Sequence, residues 1–162
     1  MAKIEKFIEH LSKLKDDRGI MADLKRGFSE TTEHRAYPHI AIWCDITNNR
    51  ERKIFLLIAA GFAVHKKSVT FGNMGTVLKK IAVGDGRGND GLKTFEARFR
   101  RLISCDTAEE VCERLPGIIK IAEKKGIAVN FVQLFNDLQY WNNNKKIQWA
   151  AEYWSSKKKE EE

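Results

Sequence analysis

The sequence predicts an all-α protein, two small helical bundles joined by a glycine-rich linker. Three observations predict it. Apolar residues recur at spacings of three and four, the period of helices with one buried face. No segment alternates apolar and polar residues at the period of two that a half-buried strand needs. Between residues 84 and 91, Gly84-Asp85-Gly86-Arg87-Gly88-Asn89-Asp90-Gly91 places four glycines in eight positions, a density that no helix interior holds. The chain is therefore expected to divide into an N-terminal helical domain, 1–84, and a C-terminal one, 92–156.

The elements follow in order. Ile4, Phe7, Ile8, Leu11 and Leu14 mark a first helix. Asp16 or Asp17 can cap a second, which carries Ile20, Met21 and Leu24 and stops at Lys25-Arg26-Gly27. Tyr37-Pro38 opens a third with Ile40, Ile42 and Trp43, since proline is tolerated in a first turn. Asn48 or Asn49 caps a long apolar helix that ends near His65. Its Ile54–Val64 run of eleven residues is too short to span a bilayer and reads as a buried central helix. A short helix from about Met74 to Val83 closes the first half. The second half starts with a helix from Leu92 to Ser104. Asp106 and Glu109 have capping-box spacing for the next one. Pro116 is expected to break or restart that helix, because an interior proline costs about 3 kcal/mol. Ile118–Lys125 follows and closes on Gly126. Asn130 caps a helix through Trp141, Asn142-Asn143-Asn144 turn, and a last helix runs to about Ser156. The neutral tail, residues 157–162, is expected to fray.

Composition narrows the function. With 162 residues, 43% of them hydrophobic, the chain can bury a real core. Lysine and arginine outnumber aspartate and glutamate 29 to 22, so the favoured partner is an anion. The cysteines, Cys44, Cys105 and Cys112, are odd in number and fit no metal or redox spacing. They and the Ala2-Lys3-Ile4-Glu5-Lys6 start, which is no signal peptide, point to a reduced cytoplasmic setting without a membrane.

Catalytic and cofactor motifs are missing. The glycine-rich stretch lacks the Gly-Lys-Ser/Thr ending of a phosphate loop and has no strand before it. It fails as a calcium loop, because Arg87 stands where an oxygen ligand belongs and Glu96, at position twelve, falls inside the next helix. His10, His34, His39 and His65 are scattered, and the His34–His39 pair has no third ligand. Asp16-Asp17 is explained by capping. No catalytic residue, metal ion or cofactor is expected.

The positions of the cations say more than their number. Phe95, Phe99, Leu102 and Ile103 form the buried face of their helix. Arg100 lies four residues after Glu96, where an ion pair is expected. Arg98 and Arg101 share the opposite flank without a local acid. They read either as a phosphate clamp, since guanidinium forks match phosphate oxygens, or as a solvated flank. Arg50, Arg52 and Lys53 fall in the first turn of the central helix, and Lys145 and Lys146 in that of the last. Cations there oppose the helix dipole by about 0.3 kcal/mol or more each, while free amides at the same end attract phosphate. Lys25-Arg26 and Lys124-Lys125 sit at helix C-termini, where the dipole alone explains them. On the last helix, Ile147, Ala150, Ala151 and Trp154 form one apolar face. Trp149 and Tyr153 lie opposite, beside the lysines. They can stack on bases or pack against protein, and packing is the commoner outcome.

The run Phe95-Glu96-Ala97-Arg98-Phe99-Arg100-Arg101-Leu102-Ile103-Ser104, then Asp106 and the Lys125-Gly126-Ile127 turn, resembles the CasB family. So do the Asn130–Leu138 helix with Tyr140-Trp141, the Glu152-Tyr153-Trp154 end, Leu24-Lys25-Arg26-Gly27 and the Tyr37-Pro38 helix. CasB is the small subunit of Cascade, the type I-E CRISPR surveillance complex of antiviral defence. The resemblance covers residues 20 to 154. It implies two small helical domains, a second copy of the chain within the complex, and contacts with the other Cascade subunits. It also implies a subunit without nuclease activity whose basic surfaces hold the guide RNA–target DNA heteroduplex and the displaced strand. The family's basic positions fall on Lys25, Arg26, Arg50 or Arg52, Arg98, Lys145 and Lys146, with Arg101 and Lys120 at variable positions. Contacts of this kind bind the backbone independently of sequence. The alternative is a structural adaptor whose basic faces meet acidic protein surfaces.

Overall fold

The computed structural model describes residues 2–84 and 89–155. α1 (Lys3–Lys13) forms where the first apolar stripe predicts it and buries Ile4, Phe7 and Leu11. α2 (Arg18–Lys25) starts on Asp17, whose carboxylate accepts from the Ile20 amide at 3.1 Å, a cap worth about 1 kcal/mol. It passes into a 3₁₀ turn, Arg26–Phe28, and a second 3₁₀ turn, Glu33–Ala36, leads to α3 (Tyr37–Ile40). Pro38 sits in the first turn of α3, but the helix is shorter than expected. It stops at Ile40, and Ile42 is 84% exposed. Trp43 lies in the following turn, its ring centroid 5.2 Å from that of Phe7.

α4 (Asn49–Val64) is capped by Asn48, which accepts from the Glu51 amide at 2.9 Å. Every residue from Ile54 to Ala63 is buried, as expected for a helix apolar on all sides. α2, α7 and α8 surround it. α5 (Met74–Val83) packs on α6 (Asn89–Ile103) and α9 (Asn143–Trp154). α7 (Ala108–Lys124) and α8 (Phe131–Gln139) complete the order, and the two halves of the sequence contribute to one hydrophobic cluster. Gly126, with φ +71°, takes the left-handed conformation that ends α7. The described residues contain no strand, only one parallel bridge between Ser68 and Val129. None of their helices is long and apolar enough to cross a membrane. The middle of the glycine-rich segment, 85–88, and the expected frayed tail, 157–162, lie outside the described residues.

Several boundaries differ from expectation. α6 begins at Asn89, inside the segment read as linker, with Asp90 in its first turn where the dipole favours an acid. α7 is capped by Thr107, with Glu110 completing the box, one residue later than the Asp106–Glu109 pair. Pro116 does not break α7, which runs unbroken to Lys124. The local cost is about 3 kcal/mol. Burial of Leu115, Ile118 and Ile119, each worth roughly 1.5–3 kcal/mol, outweighs it. On α9 the aliphatic face is the outer one: Ile147 is 64% exposed, while Trp149 and Tyr153 are fully buried. The packing alternative for these two aromatics is the one realised.

All three cysteines are buried and unbridged. Burial pushes the Cys44 thiol up to about 11 and the Cys112 thiol up to about 12, from an ordinary 9.0. The fold thus favours the neutral thiols. That contribution is complete below pH 9 and is lost as pH rises through 11 and 12. The native protein is expected to resist a chromogenic thiol reagent at about pH 8 and to release three equivalents in guanidinium, with stability declining above about pH 9. Rapid native labelling of Cys112 would contradict its burial.

Candidate nucleic-acid interface

The cations at the helix starts meet partners inside the protein. Arg50 Nη2 donates to the Leu138 carbonyl at 2.8 Å and to that of Gln139, so it caps the C-terminus of α8. Arg52 donates to Glu33 Oε2 at 3.2 Å, to the Ile46 carbonyl at 2.8 Å and to Asn49 Oδ1 at 2.7 Å. Lys53 Nζ lies 3.6 Å from Glu30 and 3.5 Å from Glu113. Lys145 Nζ lies 3.3 Å from Asp137 Oδ1, a carboxylate only 1% exposed. Asp137 also accepts from Trp149 Nε1 and Gln133 Nε2, each at 2.8 Å. Lys146 Nζ reaches Asp106 at 3.7 Å, but Asp106 is exposed and solvent weakens the pair. These partners offset the dipole penalty at both helix starts. Of this group, Lys146 keeps the most freedom to meet an outside anion.

The cations of α6 are arranged differently. Arg100 pairs with Glu96 at 2.9 Å, as the i,i+4 spacing predicts, and also lies over the Trp154 ring at 5.0 Å. The Arg100 guanidinium holds the Glu96 carboxyl below the usual carboxylate range. Arg98 and Arg101 have no acidic partner among the described residues. Both line a cleft of about 280 Å³ between α6 and α7, with Leu102, Glu113, Arg114 and Ile118. The tip of Arg98 lies over Gly117, where a Cβ would come within 3.1 Å of Nη2.

The sequence alone does not single out Arg114. It stands four residues after Glu110, a spacing that suggests an ordinary helical ion pair. Only the packing of α7 against α6 brings it to the cleft. Its guanidinium also neighbours the Cys105 thiol, which burial raises and Arg114 draws back down.

A second basic surface gathers at the C-terminal end of α4. Lys25 lines a depression of about 410 Å³ with His65, Lys66, Lys67, Glu123 and Gly126. The ends of α2 and α7, each carrying a basic cluster read from sequence, thus meet at one surface. Arg26 is exposed beside Lys25 as the C-cap of α2. Lys120 is exposed on α7, with Nζ 5.5 Å from the Phe28 ring centroid. Two of the histidines hold structural contacts: His39 Nε2 lies 3.1 Å from Asp23 Oδ2, and His65 bonds the Ile127 carbonyl. Among the described residues no three His, Cys, Asp or Glu side chains gather as metal ligands.

Residues 20–154 match the family described as CRISPR-associated protein Cse2. The chain belongs to the Cse2 family. No curated protein and no solved structure matches it. Cse2, also called CasB, places the chain among the structural subunits of Cascade in the type I-E CRISPR system. The Cse2 match contains both basic surfaces and the α6–α7 cleft, and leaves out α1.

Proposed function

We propose that this chain is a non-catalytic, cytoplasmic Cascade subunit that binds the guide RNA–target DNA heteroduplex and the displaced strand through basic helical surfaces. It works alongside a second copy of itself and stabilises the R-loop in antiviral defence. The observation that carries this reading is the arginine cleft: Arg98 and Arg101 line it together, and neither forms an ion pair among the described residues. R-loop formation is nearly balanced in free energy, so a few backbone contacts can tip it.

The test is a titration of the full-length chain with labelled single-stranded and duplex DNA at two salt concentrations. Binding is expected to be tolerant of sequence and to weaken steeply with salt. The Arg98→Ala, Arg101→Ala double variant is expected to bind more weakly. For a single strand, its slope of log K against log salt should be shallower by about 0.7 for each phosphate that is no longer neutralised. A double variant that binds like the parent would sink this assignment of the cleft. The adaptor reading has its own support: Arg50, Arg52, Lys53 and Lys145 are all engaged inside the protein. It predicts that Cascade retains the subunit while the purified chain shows no salt-sensitive DNA binding.

A further inference from the structure

The α6–α7 cleft holds one charge that works against a phosphate. Glu113 is the only acid among its described lining residues; it shares the cleft with Arg98, Arg101 and Arg114, and its carboxylate lies 3.5 Å from Lys53 Nζ. Lys53 projects from α4 with its side chain 17% exposed, and its ammonium lies 3.5 Å from Glu113 and 3.6 Å from Glu30. The Glu113 side chain is 66% exposed, so solvent weakens the pair and the carboxylate has room to turn. Glu113 lines both the arginine cleft and the neighbouring depression of about 440 Å³ that contains Lys53. The carboxylate can therefore serve either side. Turned to the arginines, it would neutralise them in a way that an incoming phosphate must undo. Held by Lys53, it leaves their donors available.

We propose that Arg98, Arg101 and Arg114 form a single backbone-phosphate site, and that Lys53 is its positioning residue, holding Glu113 away from the guanidinium groups. This rests on the nucleic-acid reading above and adds to it Arg114, a ligand on a second helix, and a control residue that never touches the strand. Arg98 and Arg101 on one helix present one edge to an anion. Arg114 on the facing helix closes the site from the other side, the arrangement that lets guanidinium forks engage separate oxygens of one phosphate.

The experiment uses the full-length chain and a labelled oligothymidine strand, with anisotropy read over a range of salt. Arg114→Ala is expected to flatten the salt slope by about 0.7, the change for one phosphate fewer on a single strand. Its thermal melt should match the parent's, because Arg114 is exposed. A double-mutant cycle tests Lys53. Lys53→Met is expected to weaken binding in the parent and to have little effect in the Glu113→Gln background. If Lys53 acts only through net charge, it weakens binding equally in both backgrounds, and the positioning role is overturned. If Arg98→Ala weakens binding and Arg114→Ala does not, the three-arginine site is wrong while the nucleic-acid reading stands. If no variant changes binding, the nucleic-acid reading of the cleft itself is wrong.

Discussion

Replacing Asp137 by alanine is expected to destabilise the protein by roughly 3–5 kcal/mol, the range for breaking a buried, hydrogen-bonded charge pair. In a chain of this size that lowers the melting temperature by on the order of 10 °C. Asp137 lies on α8, and its carboxylate accepts from Trp149 Nε1 of α9 and Gln133 Nε2 of its own helix and pairs with the Lys145 ammonium of α9. Alanine leaves the indole N–H buried without an acceptor and leaves the Lys145 ammonium, 19% exposed, without its counter-charge. Both changes fall at the α8–α9 contact, so the variant loosens the helix that carries Lys145 and Lys146. Asp137→Asn keeps an acceptor for Trp149 and removes only the charge, and its destabilisation should be clearly smaller. Calorimetry of the three proteins gives the comparison. A melt of Asp137→Ala within about 2 °C of the parent, less than about 1 kcal/mol, would mean that this carboxylate does not hold α9.

Asp137 also marks the limit of what the sequence discloses. Helices were legible wherever an apolar stripe met a side-chain cap, as at Asp17, Asn48 and Asn130, because both signals lie within one turn. The buried face of α9 was legible only as the commoner of two outcomes. Its two candidate faces both carry aromatic residues, and packing is the commoner fate for Trp149 and Tyr153. The structure buries the face with Trp149 and Tyr153, because an aromatic side chain covers some 150–250 Å² and Tyr153 finds Phe99 to stack on, roughly the geometry such pairs favour. Their ring centroids are 4.3 Å apart. Pro116 misled, since its local cost is visible in sequence and the burial that exceeds it is not.

The candidate site divides along the same line. That Arg98 and Arg101 lack local acids is a statement about neighbours on one helix, and it holds in the fold. That Arg50 opposes its own helix dipole is also true. Its reward lies 88 and 89 residues away, at the carbonyls that end α8. A first-turn cation is therefore ambiguous in sequence: it can await a phosphate or already cap another helix. Arg114 shows the converse. Its sequence neighbours suggest a routine pair, and only the approach of α6 to α7 gives it company.

A close backbone approach between the halves of the chain gives a second large effect, Gly75→Ala. Gly75 lies in the first turn of α5, and a Cβ there would fall 2.1 Å from the Trp149 carbonyl oxygen and 2.9 Å from its carbon. Both are backbone atoms of α9, so no rotamer change relieves the overlap. The helices must separate, and that opens the contact in which Val77, Leu78, Trp149 and Tyr153 are buried. It also strains the bond from Asn73 Nδ2 to the Gln148 carbonyl, now 3.3 Å. Overpacking of this kind costs about 1–3 kcal/mol where side chains can adjust, and the rigid backbone here points to the upper end or beyond. Helix propensity works in the opposite direction, since alanine is favoured over glycine in a helix by about 0.5–1 kcal/mol. Sterics therefore win by a wide margin. Gly117→Ala on α7 isolates the propensity term, because its Cβ meets only the movable tip of Arg98 at 3.1 Å. Urea denaturation should find Gly117→Ala as stable as the parent or slightly more so, and Gly75→Ala less stable by about 3 kcal/mol. Equal stabilities for the two variants would mean that α5 and α9 do not meet backbone to backbone at this position.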